Sequence, residues 1–349
     1  MAEEVKKFQS ENRVAIVGEL VSLDIKDIMT KTNVPMKTGS LKVRTAEGEV
    51  HTVRLMQMAY FKNDPENKND QYKALQTIEE EYITEEDTKN SNSEHFGANP
   101  TIVSVSGSME PNVFKTKGGE VVENVGISGR FINRVADTSE EFKATLRFSG
   151  FVHQAPTPEV KLVDGEETET GRYKVIIRGI DYQNKAFPIE FVAGKVKLDP
   201  DSDEEFDAGA WIEEEFEAGQ TVVVDADIIN RYIVKKVERP NEGGFGKMVD
   251  TKRDVQREYS LFSALEPISF EELDEDDNAD RQRAVFPDQM KEALDNYETY
   301  KADRIASSDK PKADKSSSGK RGAFGSSDTA KPKAKAKGKG KDIVSQLPF

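Results

Sequence analysis

The sequence predicts an all-β protein with minor helical content, and two features of its hydrophobic pattern support this fold class. From residue 12 to about residue 265, short runs rich in β-branched residues alternate with turn residues, as in antiparallel sheets. A glycine also recurs inside these runs, where it lets a strand coil sharply because no side chain is in the way. The runs are VAIVGELVSL (14–23), IVSVSGSME (102–110), NVGISGRFINRV (124–135), TLRFSGFV (145–152) and KVIIRGIDY (174–182). Coiled strands of this kind favour small closed barrels.

The predicted strands fall into two groups of five. The first comprises 12–28, 40–46, 50–62, 101–116 and 121–135, with a polar, helix-forming insertion (66–99) after its third strand. The second comprises 144–153, 172–182, 187–198, 220–237 and 257–264, with the acidic helical segment AWIEEEFEAG (210–219) after its third strand. Five strands with a helix after the third is the order of an OB-fold barrel. The sequence therefore predicts two OB-like barrels in tandem.

Changes in composition divide the chain into domains. They are an N-terminal extension (1–11), a first barrel (12–140), a second barrel (141–268), an acidic linker with a short helix (269–305), a disordered linker rich in Lys, Gly, Ser and Ala (306–341) and a C-terminal docking peptide (342–349). The short helix begins at Pro287, a residue favoured at the first helical position, and is a candidate to pack on the second barrel. The basic linker carries too few large apolar side chains to fold.

Charge and rare residue types restrict the possible functions. The formal net charge is −15 at pH 7, and residues 301–349 hold 11 Lys and 2 Arg against 5 Asp, a net of +8 that leaves −23 on residues 1–300. The chain has no cysteine and 3 histidines, which argues against disulfides, thiolate chemistry and Cys- or His-based metal sites. It shows neither a bilayer-spanning apolar run nor a signal-peptide core, so we expect a cytoplasmic protein, located in a bacterial host if the chain is phage-encoded.

Residue patterns typical of catalysis are not found. The carboxylates are abundant but do not form spaced motifs. The segment GGFGK (243–247) lacks the spacing and the strand-to-helix context of a phosphate-binding loop. We therefore expect a protein that is not an enzyme and that needs no cofactor or metal.

Aromatic and cationic residues interleave on the predicted strands, and this mixture holds single-stranded nucleic acid without sequence preference. The candidates in the first barrel are Arg54, Tyr60, Phe61, Lys62, Phe114, Lys115, Lys117, Arg130 and Arg134. Those in the second are Arg147, Arg172, Arg178, Tyr182, Lys185, Arg231, Tyr232, Lys235 and Lys236. The acidic body argues against this interpretation, because cations supply most of the non-specific affinity for phosphates. Much of the excess acid, however, is concentrated in 199–219 and 271–280.

Alternation along a strand sorts some of these residues. It predicts that Arg130 and Phe131 point to opposite faces, so that both cannot lie on one binding surface. We expect Phe148 and Phe191 in a barrel core. We expect Phe114, Tyr182 and Tyr232 at the surface, because loops or basic residues flank them.

The last eight residues, DIVSQLPF, form an apolar cluster at the end of the polar tail. Ile343, Val344, Leu347, Pro348 and Phe349 are therefore predicted to dock on a partner protein, with the terminal carboxylate as an additional contact. The preceding KPKAKAKGKGK (331–341) either attracts nucleic-acid phosphates or serves as a solubilising linker.

Both ends of the chain resemble the bacterial and phage single-stranded DNA-binding protein family. The segment NRVAIVGELVSLDIK (12–26) is similar to the first strand of that family, and Pro348 and Phe349 match its C-terminal tip. The chain differs in having only Asp342 before the apolar cluster and a longer middle, as in a tandem-barrel relative. The resemblance implies coating of single-stranded DNA without sequence specificity during replication, recombination and repair. It also implies recruitment of partner enzymes through the tip.

Two other functions remain open at this stage. One is a β-rich structural or assembly protein, for instance of a virion, and the other is a replisome or recombination adaptor that does not touch DNA. The sequence allows a homo-oligomer but does not require one. The resemblance implies a family whose members are usually tetramers, and two barrels in one chain can replace part of such a tetramer.

Overall fold

A computed structural model describes residues 7–61, 64–116, 118–136, 141–163, 166–198, 203–240, 247–273 and 281–308; for 163, 233–240, 247–254 and 308 it describes the backbone only. These residues all belong to one compact unit. None of the helices in this described part combines the length and apolar composition needed to cross a membrane.

The first five strands form the first barrel. Its elements are β1 (Asn12–Met29), β2 (Pro35–Ala46), β3 (Glu49–Met58), α1 (Asp70–Glu81), α2 (Glu85–Lys89), β4 (Ile102–Lys115) and β5 (Val121–Arg134). The strands pair in the order β1-β2-β3-β5-β4 and back to β1, antiparallel except for the short parallel contact between β3 and β5. This circular order, with helices between the third and fourth strands, is that of the OB fold.

The second barrel repeats the same order. Its elements are β6 (Lys143–Val163), β7 (Glu166–Ile180), β8 (Ala186–Ala193), β9 (Lys195–Lys197), β10 (Glu205–Asp207), α3 (Ala208–Glu215), β11 (Thr221–Pro240) and β12 (Lys247–Ala264). The pairing runs β6-β7-β8-β12-β11 and back to β6, again with one parallel contact, between β8 and β12. The predicted all-β architecture with two tandem OB-like barrels is confirmed. The predicted disordered tail lies outside the described residues.

A glycine lets the first strand of each barrel pair with two different neighbours. Strand β1 pairs with β4 up to Glu19 and with β2 from Glu19 onward, and Gly18 lies at this change. A Cβ atom on Gly18 would lie 2.2 Å from the carbonyl oxygen of Arg44, and one on Gly150 of β6 would lie 2.2 Å from that of Arg178. Gly18 and Gly150 therefore mark close approaches of two backbones, as closure of a small barrel requires.

Inward-facing aliphatic and aromatic side chains fill the barrels. Phe148 and Phe191 are fully buried, as predicted, and their ring centroids lie 5.8 Å apart. Helix α1 adds Leu75 and Ile78, three residues apart on one face, to the same core. Asn69 caps the N-terminus of this helix, because its side chain accepts a hydrogen bond from the backbone N–H of Gln71.

The two barrels are joined by strand pairing and by a C-terminal helix. Residues Asn12–Val17 of β1 pair with residues 143–148 of β6, so ten strands form one continuous sheet. After a short 3₁₀ helix (Phe270–Glu272), helix α4 (Pro287–Ser308) packs on both barrels. The Tyr300 hydroxyl donates to the carbonyl oxygen of Pro111 in the first barrel. The Asn296 side-chain amide donates to the backbone carbonyl oxygen of Asn184 in the second.

Candidate nucleic-acid interface

Strands β1, β2 and β3 present one outward surface of the first barrel. Leu41, Val53 and Leu55 are buried, so the residues between them point outward. Residues opposite each other on paired strands share a face, which fixes the remaining members of this surface. We call it the outer face of β1–β3; it comprises Asp24, Lys26, Ile28, Met36, Thr38, Ser40, Lys42, Thr52, Arg54, Met56 and Met58.

One end of this outer face is cationic. Arg54 lies opposite Ser40, and Lys42 lies opposite Thr52, one row further along. Arg54 and Lys42 are exposed, and neither forms an ion pair with the residues that the structure describes. A Cβ atom on Gly126 would lie 3.3 Å from the Arg54 Cζ atom, so the glycine gives the guanidinium room to lie across β5. These two cations are available to an anionic ligand.

Arg130 and Phe131 follow on β5, and both are exposed. The pairing of β4 with β5 shifts by one residue between Ser106 and Gly107, which leaves Arg130 without a partner opposite it. This β-bulge resets the alternation, so Arg130 and Phe131 both lie outside the core while Ile132 returns to it. The prediction that alternation separates Arg130 from Phe131 is therefore wrong.

The opposite end of the outer face is apolar. Ile28, Met36 and Met58 lie side by side in one row across the three strands, and Met56 lies opposite Thr38 in the next row. Tyr60 and Phe61, which follow β3, lie at this same end, and Phe61 is exposed.

Several of the predicted binding cations are engaged in ion pairs or hydrogen bonds within the protein. Arg147 donates to Glu11 and to Asp225, each at 2.8 Å, and the hydrogen bond to Glu11 raises the pKa of the Arg147 guanidinium. Arg231 donates to the buried Glu49 carboxylate at 2.7 Å and thereby links the two barrels. Arg134 donates to the carbonyl oxygen of Glu81 at 2.9 Å, and its guanidinium lies over the ring of Tyr82. These charges stabilise the fold.

Arg178 and Lys185 lie beneath helix α4. Arg178 donates to the carbonyl oxygen of Ala186 and lies 5.9 Å from the ring centroid of Tyr297, and burial lowers the pKa of its guanidinium. Lys185 lies 4.3 Å from the ring centroid of Tyr300. The predicted short helix thus covers these two predicted binding residues.

Arg172 is held by two acidic side chains. It donates to both carboxylate oxygens of Glu159 and to both of Glu258, at 2.6–3.1 Å. Both carboxylates are almost completely buried.

The remaining candidates are dispersed. Phe114, Tyr182 and Tyr232 are exposed, as predicted, on the β4–β5 hairpin, the β7–β8 turn and β11, respectively. Lys115 adjoins Phe114. Lys62, Lys117 and the proposed docking residues Ile343, Val344, Leu347, Pro348 and Phe349 lie outside the described residues, as do the side chains of Lys235 and Lys236.

Sequence reasoning omitted Lys42 and the methionines of the outer face. The signal was present in HTVRLMQM (51–58), where buried Val53 and Leu55 alternate with exposed Arg54 and Met56. A search for aromatic rings interleaved with cations does not select methionines, and it passes over Lys42 because β2 carries no aromatic residue.

Comparison with known proteins assigns the chain to a family. The YorF family matches residues 10–303, which is most of the chain. The chain belongs to the YorF family. No curated protein matches the sequence of this YorF member.

Two solved structures are distantly similar to this YorF chain. One is the wild-type single-stranded DNA binding protein from Thermus aquaticus, with a TM-score of 0.43 and 12% sequence identity, covering 75% of this chain and 95% of that chain. The other is a deletion mutant of the same Thermus aquaticus protein, with a TM-score of 0.42 and 12% identity, covering 77% of this chain and 99% of that chain.

Proposed function

We propose that this protein binds single-stranded DNA without sequence specificity through the outer face of β1–β3 and that it is not an enzyme. The observation that carries the proposal is the arrangement of this face, where the exposed cations Arg54 and Lys42 lie at one end of a continuous outward surface whose other end is apolar. Cations attract the phosphate backbone, and flat apolar contacts suit unpaired bases. A base-paired duplex keeps the faces of its bases inside the stack and offers only its charge.

The charge of the remaining body supports a confined site. Residues 1–300 carry a net charge of −23, so most of the surface repels a polyanion. On the outer face, Asp24 is paired with Lys26 at 3.1 Å, which leaves Arg54 and Lys42 to dominate the local charge. An anionic strand is therefore steered towards this part of the first barrel.

The biological role that fits this activity is the coating of exposed single strands during DNA replication, recombination and repair. In this proposal the C-terminal residues 342–349 recruit partner enzymes to the coated strand, because a tethered peptide raises their local concentration. A structural or assembly protein, or an adaptor without direct DNA contact, predicts no binding by the isolated protein.

Fluorescence anisotropy with labelled oligo-dT tests the proposal. We expect sub-micromolar, salt-sensitive binding of oligo-dT by the full-length protein and weaker binding of duplex DNA. The double variant Arg54→Ala/Lys42→Ala is expected to bind roughly tenfold more weakly or worse, because two phosphate contacts are lost. Its plot of log affinity against log salt should be shallower by about 1.4, the value for two fewer phosphates on a single strand.

The matched control is Lys195→Ala/Lys197→Ala, which removes two exposed lysines of β9 in the second barrel. This variant should bind like the wild type. An absence of oligo-dT binding by the wild type would refute the proposed function. Equal losses in the two double variants would refute the assignment to the outer face of β1–β3.

Removal of residues 342–349 tests the separation of coating from recruitment. Because the tip carries a single acidic residue and no cation, we expect the shortened protein to bind oligo-dT with unchanged affinity. The measurement is the same anisotropy titration at two salt concentrations. A marked loss of affinity would show that the tip contributes to DNA binding, contrary to the role proposed for it.

A further inference from the structure

The apolar end of the outer face of β1–β3 is unusually rich in methionine. Of the 8 methionines in the chain, Met29, Met36, Met56 and Met58 lie on or beside it. Met56 is 67% exposed and Met29 is 61% exposed, whereas Met109 in the core is 2% exposed. The concentration of flexible thioether side chains at one exposed place calls for a physical explanation.

The strand pairing makes these side chains one contiguous surface. Ile28 lies opposite Met36, and Met36 lies opposite Met58, so three apolar side chains form a row across β1, β2 and β3. Met29 follows Ile28 at the end of β1, and Met56 is the outward residue next to Met58 on β3. Contiguous exposed apolar surface of this kind marks a binding site more often than isolated apolar residues do.

The neighbouring charges indicate what binds there. Arg54 precedes Met56 by two residues on the same face of β3, so an unpaired cation borders the apolar end. The nearest acids of β1 are engaged in ion pairs, since Asp24 is paired with Lys26, and Asp27 is paired at 3.0 Å with Lys37, which also binds Glu79. The ligand should therefore carry negative charge next to flat apolar groups. Single-stranded nucleic acid has this chemistry along its whole length.

We propose that Ile28, Met29, Met36, Met56 and Met58 form an aliphatic and thioether platform that contacts the unpaired bases of a single strand, while Arg54 holds the adjacent phosphate. This inference rests on the proposed function and identifies the side chains that meet the bases. Methionine is unbranched and polarisable, so it adapts to purines and pyrimidines alike and makes favourable contacts with aromatic rings. A platform of this kind gives contact without selecting a sequence.

Oxidative footprinting of the full-length protein tests the platform. Hydrogen peroxide transfers one oxygen atom to the thioether sulfur, giving a sulfoxide and water, and peptide mass spectrometry measures the extent at each methionine. With saturating oligo-dT we expect oxidation of Met29, Met56 and Met58 to slow at least threefold. Met109 should oxidise slowly with or without DNA, because it is buried.

A variant pair gives a second readout. Met56→Gln keeps the approximate size but makes the side chain polar, and we expect about tenfold weaker oligo-dT binding, as for loss of one base contact. Met56→Leu keeps an apolar contact and should stay within about twofold of the wild type. Because Met56 is exposed, both variants are expected to fold, and circular dichroism checks this.

The outcomes separate the platform from the proposed function. If oligo-dT binds but the methionines oxidise at the same rate, the platform is wrong and the proposed function stands. If oligo-dT does not bind, the proposed function fails. If protection appears without DNA and increases with protein concentration, the surface is a contact between copies of the chain, and the platform is again wrong.

Discussion

Replacement of Arg172 with alanine is expected to lower the free energy of unfolding by about 3–5 kcal/mol, the cost of removing one partner from a buried ion pair. Arg172 of β7 is the shared partner of Glu159 in β6 and Glu258 in β12. Without it, both carboxylates stay almost completely buried, Glu258 loses its cation, and Glu159 keeps only the more distant Lys161, whose ammonium lies 3.7 Å away. Thermal or urea unfolding monitored by circular dichroism measures the change.

The matched control for Arg172 lies two residues further along β7. Lys174 forms an ion pair with Glu190 at 3.1 Å, but both side chains are substantially exposed. Lys174→Ala should therefore cost less than about 1 kcal/mol. Equal losses for Arg172→Ala and Lys174→Ala would show that the Arg172 ion pairs contribute no special stability.

The effect of Arg172→Ala should also depend on pH. Burial alone would raise the pKa of Glu159, but hydrogen bonds from Thr170 and Arg172 outweigh it and the pKa is lowered. A carboxyl with a lowered pKa contributes stability that is present above its unfolded-state pKa, and that contribution is lost as the pH falls through its folded-state pKa. The difference in the free energy of unfolding between the wild type and Arg172→Ala is therefore expected to become smaller as the pH falls.

Replacement of Tyr297 with alanine is the second large effect that we expect, also about 3–5 kcal/mol, as for other large-to-small changes in a core. Tyr297 of α4 is 1% exposed, stacks on Tyr300, and donates its hydroxyl proton to Glu123 at 2.7 Å. Its loss would leave a cavity between the helix and both barrels. It would also uncover Arg178, whose guanidinium it covers. Chemical denaturation measures the change.

Two further tyrosine variants make this prediction specific. Tyr297→Phe keeps the ring and loses the hydrogen bond to Glu123, so we expect a loss of about 1 kcal/mol. Tyr182, which is 79% exposed in the β7–β8 turn, should tolerate alanine within about 0.5 kcal/mol. If Tyr297→Ala were as mild as Tyr182→Ala, α4 would not be an integral part of the packed core.

The order of the strands could be predicted because glycines and β-branched runs recur in the same sequence in each barrel. The lengths of some strands could not be predicted. Strand β6 reaches Val163, ten residues beyond its predicted end, and β12 begins at Lys247, ten residues before its predicted start. These extensions form hairpins. The extension of β6, QAPTPEVKLV (154–163), is largely polar and contains two prolines. A hairpin with little core contact leaves only a weak alternating pattern.

The candidate site was predicted less completely than the fold. Arg54 and Arg130 could be selected because they are cations on predicted strands that also carry aromatic residues. The engagement of Arg147 by Glu11 and of Arg231 by Glu49 joins residues more than 130 positions apart in the chain. Such long-range ion pairs leave no local pattern. The position of α4 over Arg178 and Lys185 depends equally on tertiary packing, although the helix itself is evident from its sequence.

The pairing of β1 with β6 has a consequence for dissecting this protein. Residues 14–17 lie between β4 on one side and β6 on the other, so their backbone groups are used in both directions. A fragment containing only the first barrel would leave one row of amides and carbonyls unsatisfied, ready to pair with another chain. Truncation at the boundary between the barrels is therefore expected to yield fragments that aggregate through this unpaired edge. Function should instead be dissected by point substitution in the intact chain.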